Sequence, residues 1–341
     1  MKRFFFLCVL ALAATWVQAG VASTALPGLQ DDGPITVFYP SSAPERPAQR
    51  GPFLLQLAAG APPVRGNGRL IVISHGSGGA PWVHSDLARK LVEAGFVVAF
   101  PTHRGDNWEG MSDAGPVSWR RRPGEVSRAI DAVLQDARFA PLVEAGRVGM
   151  YGMSAGGHTA LTFAGGRWSP SQLLQHCEAH LAEDFSTCVG LVSRLRGDMI
   201  DGVRKAVAIR VLRHRLVDSA WYGHEESRVQ AVVAEVPFAA DFDLLSLAQP
   251  RVPLGIVQAG QDKWLKPRFH SGAVLNACKG CHLVADVPSA GHGSLLSPQP
   301  PLGNLSTIAA DLLSDPPGFD RALVVATHER IAAYFRQHLL P

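Results

Sequence analysis

The sequence predicts an α/β fold in which a mostly parallel sheet is covered by helices on both faces. From residue 69 onwards, short apolar runs alternate with longer segments that carry apolar residues at helical spacing. Several of these runs are apolar on both faces, which is typical of buried parallel strands connected by helices. In residues 147–158, one such run leads directly into a glycine-rich turn and a second apolar stretch, which indicates strand, sharp turn and helix.

Two edge strands precede the regular alternation. Residues 35–39 and 53–57, between Pro- and Gly-rich connectors, are typical of antiparallel edge strands. Further strands are predicted at 70–74, 96–100, 148–151, 231–236, 254–258 and 282–287. Helices are predicted from the apolar stripes Val83, Leu87, Leu91 and Ala94; Val126, Ile130, Val133, Leu134 and Ala137; and Leu323, Ile331, Phe335 and Leu339.

The alternation stops in residues 165–228. This stretch has helical patterns, two cysteines and several arginines, and it lies between the helix after the glycine-rich turn and the next strand. An insertion at this point starts above the carboxyl edge of the sheet, so we interpret it as a helical cap. The alternative is a peripheral helical segment that never contacts substrate.

Composition and charge are those of a soluble globular protein and argue against a nucleic-acid-binding one. The chain has 341 residues, 47% hydrophobic and 18% charged, as in soluble globular enzymes. Large α/β folds reach this length as one domain. The formal net charge of +3 is small and spread out, whereas nucleic-acid-binding proteins cluster Lys and Arg on one face. We therefore expect no nucleic-acid partner, and the sequence does not indicate the oligomeric state.

The N-terminus has the features of a secretory signal peptide. A basic start is followed by an apolar run over 4–17, and Val17 and Ala19 are the small residues that a signal peptidase reads. The run is shorter than the roughly 20 residues of a membrane span, and Cys8 lies inside it, so we expect no stable membrane anchor. We predict that residues 1–19 are removed and that 20–341 form a single exported domain, periplasmic or secreted.

Four cysteines remain after this cleavage. An even count in an oxidising compartment favours disulfide bonds, and proximity in sequence favours Cys177–Cys188 and Cys278–Cys281. A redox motif at 278–281 is the alternative, but such motifs open a helix and this one closes a helix. No second Cys/His pair stands at zinc-ligand spacing, so no metal site is predicted.

The glycine-rich turn contains the pattern Gly-x-Ser-x-Gly, centred on Ser154. On a strand–turn–helix connection this pattern exposes the serine hydroxyl at the apex of the turn, above a helix N-terminus. Gly152 and Gly156 are needed where a side chain would collide with the neighbouring strand or helix. The sequence therefore predicts a nucleophilic serine; an incidental serine in a glycine-rich connection is the alternative.

A serine nucleophile needs a base, a group that orients the base, and donors for an oxyanion. His292 follows the last predicted strand between two glycines, and Asp262 follows the strand before it. These positions fit an imidazole base and the carboxylate that holds its tautomer. The oxyanion donors are predicted to be the backbone N–H groups of Ala155, next to the nucleophile, and of Ser77, in the loop after strand 70–74.

These motifs resemble the α/β-hydrolase superfamily, and within it the dienelactone-hydrolase-like and platelet-activating-factor-acetylhydrolase-like exported esterases. The residues that carry the resemblance are 74–79 (SHGSGG), 100–107 (FPTHRGDN), 122–123 (RP), 152–157 (GMSAGG), 259–262 (AGQD) and 290–292 (AGH). The resemblance implies the α/β-hydrolase fold with an eight-stranded, mostly parallel sheet, and a hydrolase of carboxylic esters without a cofactor. It also implies Ser154 as nucleophile, His292 as base and Asp262 as acid.

The chain departs from these families in two respects. Dienelactone hydrolases proper use a cysteine nucleophile, so lactone specificity does not carry over to a serine. Acetylhydrolases of the second type can place the acid after the earlier strand, which here would be Asp241 or Asp243 instead of Asp262.

The sequence as a whole predicts an exported serine esterase that acts on small-molecule esters of small to medium acyl chain. An exported serine peptidase of the same fold would use the same three side chains. A non-catalytic binding protein that retains the fold is the alternative from a different class.

Overall fold

The computed structural model describes residues 20–303 and 305–341; the predicted signal peptide, 1–19, lies outside the described residues. The strands are β1 Gly20–Leu26, β2 Ile35–Ser41, β3 Arg46–Arg50, β4 Phe53–Leu57, β5 Leu70–Ser74, β6 Val97–Pro101, β7 Val148–Met153, β8 Arg167–Trp168, β9 Val229–Glu235, β10 Phe242–Asp243, β11 Leu254–Ala259 and β12 His282–Val287. The α-helices are α1 Ser85–Glu93, α2 Pro116–Gln135, α3 Ala155–Phe163, α4 Pro170–His180, α5 Phe185–Val189, α6 Asp201–Arg215, α7 Ser271–Ala277, α8 Thr307–Leu313 and α9 Ala322–Leu339.

Eight strands form the central sheet, in the order β1-β2-β6-β5-β7-β9-β11-β12. The strands from β6 to β12 in this order are parallel, whereas β2 runs antiparallel to β6 and to β1. The predicted mostly parallel, eight-stranded sheet is thus confirmed. Neither predicted edge strand lies at an edge of this sheet: β2, which contains 35–39, lies between β1 and β6, and β4, at 53–57, pairs with β3 in a separate hairpin.

Helices cover both faces of the sheet. On one face, α1 and α9 bury Leu87, Leu91 and Ile331 against the apolar side chains of the strands. On the other face, α2 and α3 bury residues such as Val126 and Leu161. The apolar side predicted for the C-terminal helix differs at its first residue. Leu323 is exposed, and the neighbouring Val324 is buried instead.

The insertion at 165–228 contains β8 and the helices α4, α5 and α6. Cys177 on α4 is bonded to Cys188 on α5, and Cys278 is bonded to Cys281 between α7 and β12, as the sequence predicts. No helix in the described part of the chain is long and apolar enough to cross a membrane.

Candidate active site

Ser154 lies on the sharp turn between β7 and α3. Its backbone has φ 57° and ψ −116°, a conformation that residues other than glycine rarely adopt. Glycines permit the turn: a Cβ on Gly152 would lie 1.9 Å from the carbonyl oxygen of Gly156, and one on Gly156 would lie 1.9 Å from the carbonyl oxygen of Ser74. The turn is held by the Ser154 N–H, which donates to the carbonyl oxygen of Glu235 at 3.0 Å.

The three side chains predicted to act together are hydrogen-bonded in series. His292 Nε2 lies 3.0 Å from Ser154 Oγ, and His292 Nδ1 lies 2.7 Å from Asp262 Oδ2. The other carboxylate oxygen, Asp262 Oδ1, accepts the backbone N–H groups of Trp264 and Leu265, each at 2.8 Å. Because both oxygens have donors, the carboxylate is held in one orientation toward the imidazole.

The alternative acids lie elsewhere. Asp241 is buried and binds His158, with 3.0 Å between Asp241 Oδ2 and His158 Nε2. Asp243 accepts the N–H of Leu245 and pairs with Arg167. In the described part of the chain, Asp262 is the carboxylate that reaches His292.

One predicted oxyanion donor, Ala155, directly follows Ser154, and the loop that carries the other, Ser77, comes close to Ser154 at Gly76. Ala155 is the first residue of α3, so its N–H is free of the intrahelical ladder. The loop after β5 approaches from the other side: a Cβ on Gly76 would lie 3.4 Å from Ser154 Cβ. Neither the Ser77 nor the Ala155 backbone N–H donates to another group within 20–303 and 305–341. The structure therefore shows no competing acceptor for either amide in the described residues.

A buried ion pair supports the loop after β5. Asp106 accepts the Gly78 N–H at 3.1 Å and the Ser77 hydroxyl at 3.2 Å, and it pairs with Arg122 Nη2 at 2.8 Å. Arg122 also donates to the carbonyl oxygen of His75 at 2.5 Å. Burial alone would raise the pKa of the Asp106 carboxyl, but the adjacent guanidinium lowers it overall, so the carboxylate stays charged.

A second serine–histidine–carboxylate series lies beneath this loop, and the sequence analysis did not identify it. His103 Nε2 lies 2.7 Å from Ser74 Oγ, and His103 Nδ1 lies 2.6 Å from Glu125 Oε2. All three residues are buried. Burial holds the pKa of His103 well below its usual value, so the ring is neutral and accepts the Ser74 hydroxyl. The complete burial of His103 favours a structural role for this series.

The insertion packs against the loop that carries Asp262. Thr187, on α5, donates its hydroxyl to the carbonyl oxygen of Trp264 at 3.2 Å and lies 2.9 Å from His270 Nε2. Asp184, at the start of α5, lies 2.9 Å from His176 Nε2 on α4. The insertion is thereby tied to the segment that orients the carboxylate of the site.

Comparison with known proteins supports the fold. No protein-family model matches the chain, and neither does any curated protein sequence. Among solved structures, the chain is similar to a ferulic acid esterase from Streptomyces cinnamoneus, with a TM-score of 0.57 and 17% sequence identity over 96% of this chain and 91% of that chain. At this identity the likeness shows the fold, and the predicted α/β-hydrolase fold is confirmed.

Proposed function

We propose that this protein is an exported serine hydrolase that cleaves carboxylic esters through an acyl-enzyme. The observation that carries the proposal is the hydrogen-bonded series Ser154–His292–Asp262, with its serine on a strained turn at a helix N-terminus. The similar solved structure is an esterase by name, and we extend that activity to this chain. The two disulfide bonds are compatible with export to an oxidising compartment.

The reaction proceeds in two halves. The Ser154 hydroxyl attacks the ester carbonyl while His292 Nε2 accepts its proton, and the imidazolium then protonates the leaving alcohol. Water, activated by the same imidazole, attacks the acyl-enzyme, and Ser154 recovers its proton as the acid leaves. Asp262 accepts the Nδ1–H throughout, so whenever the ring is neutral its Nε2 lone pair faces the serine.

The tetrahedral intermediate carries its negative charge on the former carbonyl oxygen. The backbone N–H groups of Ala155 and Ser77 donate to this oxygen. Removing one such donor typically costs about 2.7–4 kcal/mol of transition-state stabilisation. The Arg122–Asp106 pair serves this step indirectly, because it holds the loop that presents Ser77.

We propose esters of small to medium acyl chain as substrates. The series to test is p-nitrophenyl acetate, butyrate and octanoate. Because the similar structure is named as a ferulic acid esterase, methyl ferulate belongs in the same series as an aromatic acyl ester.

A matched pair of variants tests the assignment of the acid. Asp262→Asn should lower kcat by roughly 10⁴-fold, because an amide in place of the carboxylate favours the wrong imidazole tautomer. Asp243→Asn changes a carboxylate that binds Arg167 and should leave kcat within about twofold, as surface changes usually do.

Active-site labelling tests the nucleophile. A fluorophosphonate probe should label the wild-type protein, and Ser154→Ala should abolish both labelling and turnover. A wild-type protein that folds but does not react with the probe would refute the proposed function.

A further inference from the structure

The helix α6 presents an unusual surface. None of its residues is buried, although the helix has fifteen residues. Its exposed side includes Val203, Val207 and Val211, which lie at i, i+4 and i+8 and therefore form one stripe. Met199 and Ile200 extend the apolar surface just before the helix and are 98% and 56% exposed. We call these five residues the apolar stripe.

The segment that contains the apolar stripe is strongly cationic. Residues 194–215 contain seven Lys or Arg and two Asp, a net charge of +5, whereas the whole chain has a net charge of +3. The rest of the chain is therefore net negative, and the excess of positive charge is concentrated in this segment. Arg204 and Arg213 pair with carboxylates, whereas Arg210 and Arg215 have no ion-pair partner within 20–303 and 305–341.

We propose that α6 and residues 194–200 bind an anionic lipid surface, with the apolar stripe inserted at the headgroup boundary. Exposed aliphatic residues and nearby arginines can both be accommodated at such a surface, the first by apolar burial and the second by attraction to negative headgroups. This binding is peripheral and reversible. It is independent of the proposed esterase activity.

Charge selects this partner over the others. A symmetric dimer formed through this surface would bring a segment of net charge +5 against an identical one, which costs electrostatic free energy. A nucleic acid would neutralise the charge but leave the valines of the stripe in water. A lipid surface satisfies both groups at once: its phosphates pair with the cations, and its acyl chains cover the stripe.

Vesicle binding, measured without turnover, tests the proposal. Co-sedimentation compares vesicles of phosphatidylcholine with vesicles that also contain phosphatidylglycerol. The wild-type protein should bind the anionic vesicles, and added salt should weaken this binding. Each cation removed should lower the affinity about fivefold, which Arg210→Gln and Arg215→Gln examine. The control is Arg336→Gln, an exposed arginine on α9.

The apolar contribution has its own variants. Val203→Asp with Val207→Asp should lower anionic-vesicle binding at least tenfold while p-nitrophenyl butyrate turnover, if the protein has it, and the unfolding midpoint stay unchanged. Val325→Asp is the matched control, because Val325 is 57% exposed on α9 and Val207 is 56% exposed on α6.

Three results would each overturn the proposal. They are equal binding to both kinds of vesicle, binding to neither, and a dimer in light scattering that Val203→Asp with Val207→Asp converts to monomer.

Discussion

Glu235 makes the stability of this fold depend on pH. It ends β9, where its carbonyl oxygen accepts the Ser154 N–H, and neither carboxyl oxygen has a hydrogen-bond partner in the described part of the chain. Burial raises the pKa of Glu235 from 4.5 to about 8. The neighbouring Tyr151 is affected in turn, because burial and the nearby carboxyl raise the pKa of its phenol well above the usual value.

The direction of the effect follows from proton binding. Between pH 4.5 and pH 8 the unfolded chain has lost the Glu235 proton while the folded protein keeps it. Stability therefore falls as the pH rises through this interval, by about 1.4 kcal/mol per pH unit. The whole interval corresponds to about 5 kcal/mol, and above pH 8 the loss from this group ends.

Glu235→Gln isolates this contribution, because an amide has the shape of the protonated acid and does not ionise. Urea unfolding of both proteins from pH 5 to pH 9 gives the difference in free energy of unfolding. The variant should match the wild type near pH 5 and exceed it by several kcal/mol at pH 8. His84 and His328, whose pKa values burial lowers to about 3 and about 4, affect both proteins equally and cancel in the difference.

The control is Glu109→Gln, which changes an exposed carboxylate and should leave the pH dependence of stability unaltered. A difference between Glu235→Gln and wild type that stays constant from pH 5 to pH 8 would refute the reasoning, since it would mean that the buried acid ionises as it does in the unfolded chain.

Two further predictions concern the supports of the site. Arg122→Lys keeps the charge but loses the forked contacts to Asp106 and to the loop after β5. It should lower kcat more than it raises KM in steady-state kinetics, and it should lower the free energy of unfolding in urea by about 1–3 kcal/mol. An unchanged kcat would contradict this role. Replacing Cys177 and Cys188 by serine opens a link spanning 11 residues and should cost about 3 kcal/mol, whereas the same change at the other disulfide, which spans 3 residues, should cost less. Thermal unfolding compares the two, and equal losses would contradict the loop-length argument.

The local sequence pattern predicted the parallel part of the sheet, because its strands are apolar on both faces and the helices between them carry apolar residues at helical spacing. β1 was not predicted, since Ser23 and Thr24 interrupt its apolar pattern and its position depends on pairing with β2. The exposure of Leu323 was likewise not predicted, because it depends on tertiary packing. Helical spacing allowed either Leu323 or Val324 to face the sheet, and packing decided between them.

The series Ser154–His292–Asp262 was predictable because each member follows the carboxyl end of a parallel strand, and those ends meet at one edge of the sheet. The buried supports were not predictable in the same way. Glu125 and Arg122 lie within α2, and their contacts to His103 and Asp106 depend on how that helix packs over two loops. The members of each pair are about twenty residues apart in sequence, and that separation does not predict how α2 packs.

The buried series Ser74–His103–Glu125 has a consequence for how catalytic sites are recognised. Its distances are as short as those in the series around Ser154. A template search by atomic geometry would therefore return Ser74 as well as Ser154. What separates the two series is exposure: Ser74 is fully shielded, whereas Ser154 retains contact with solvent.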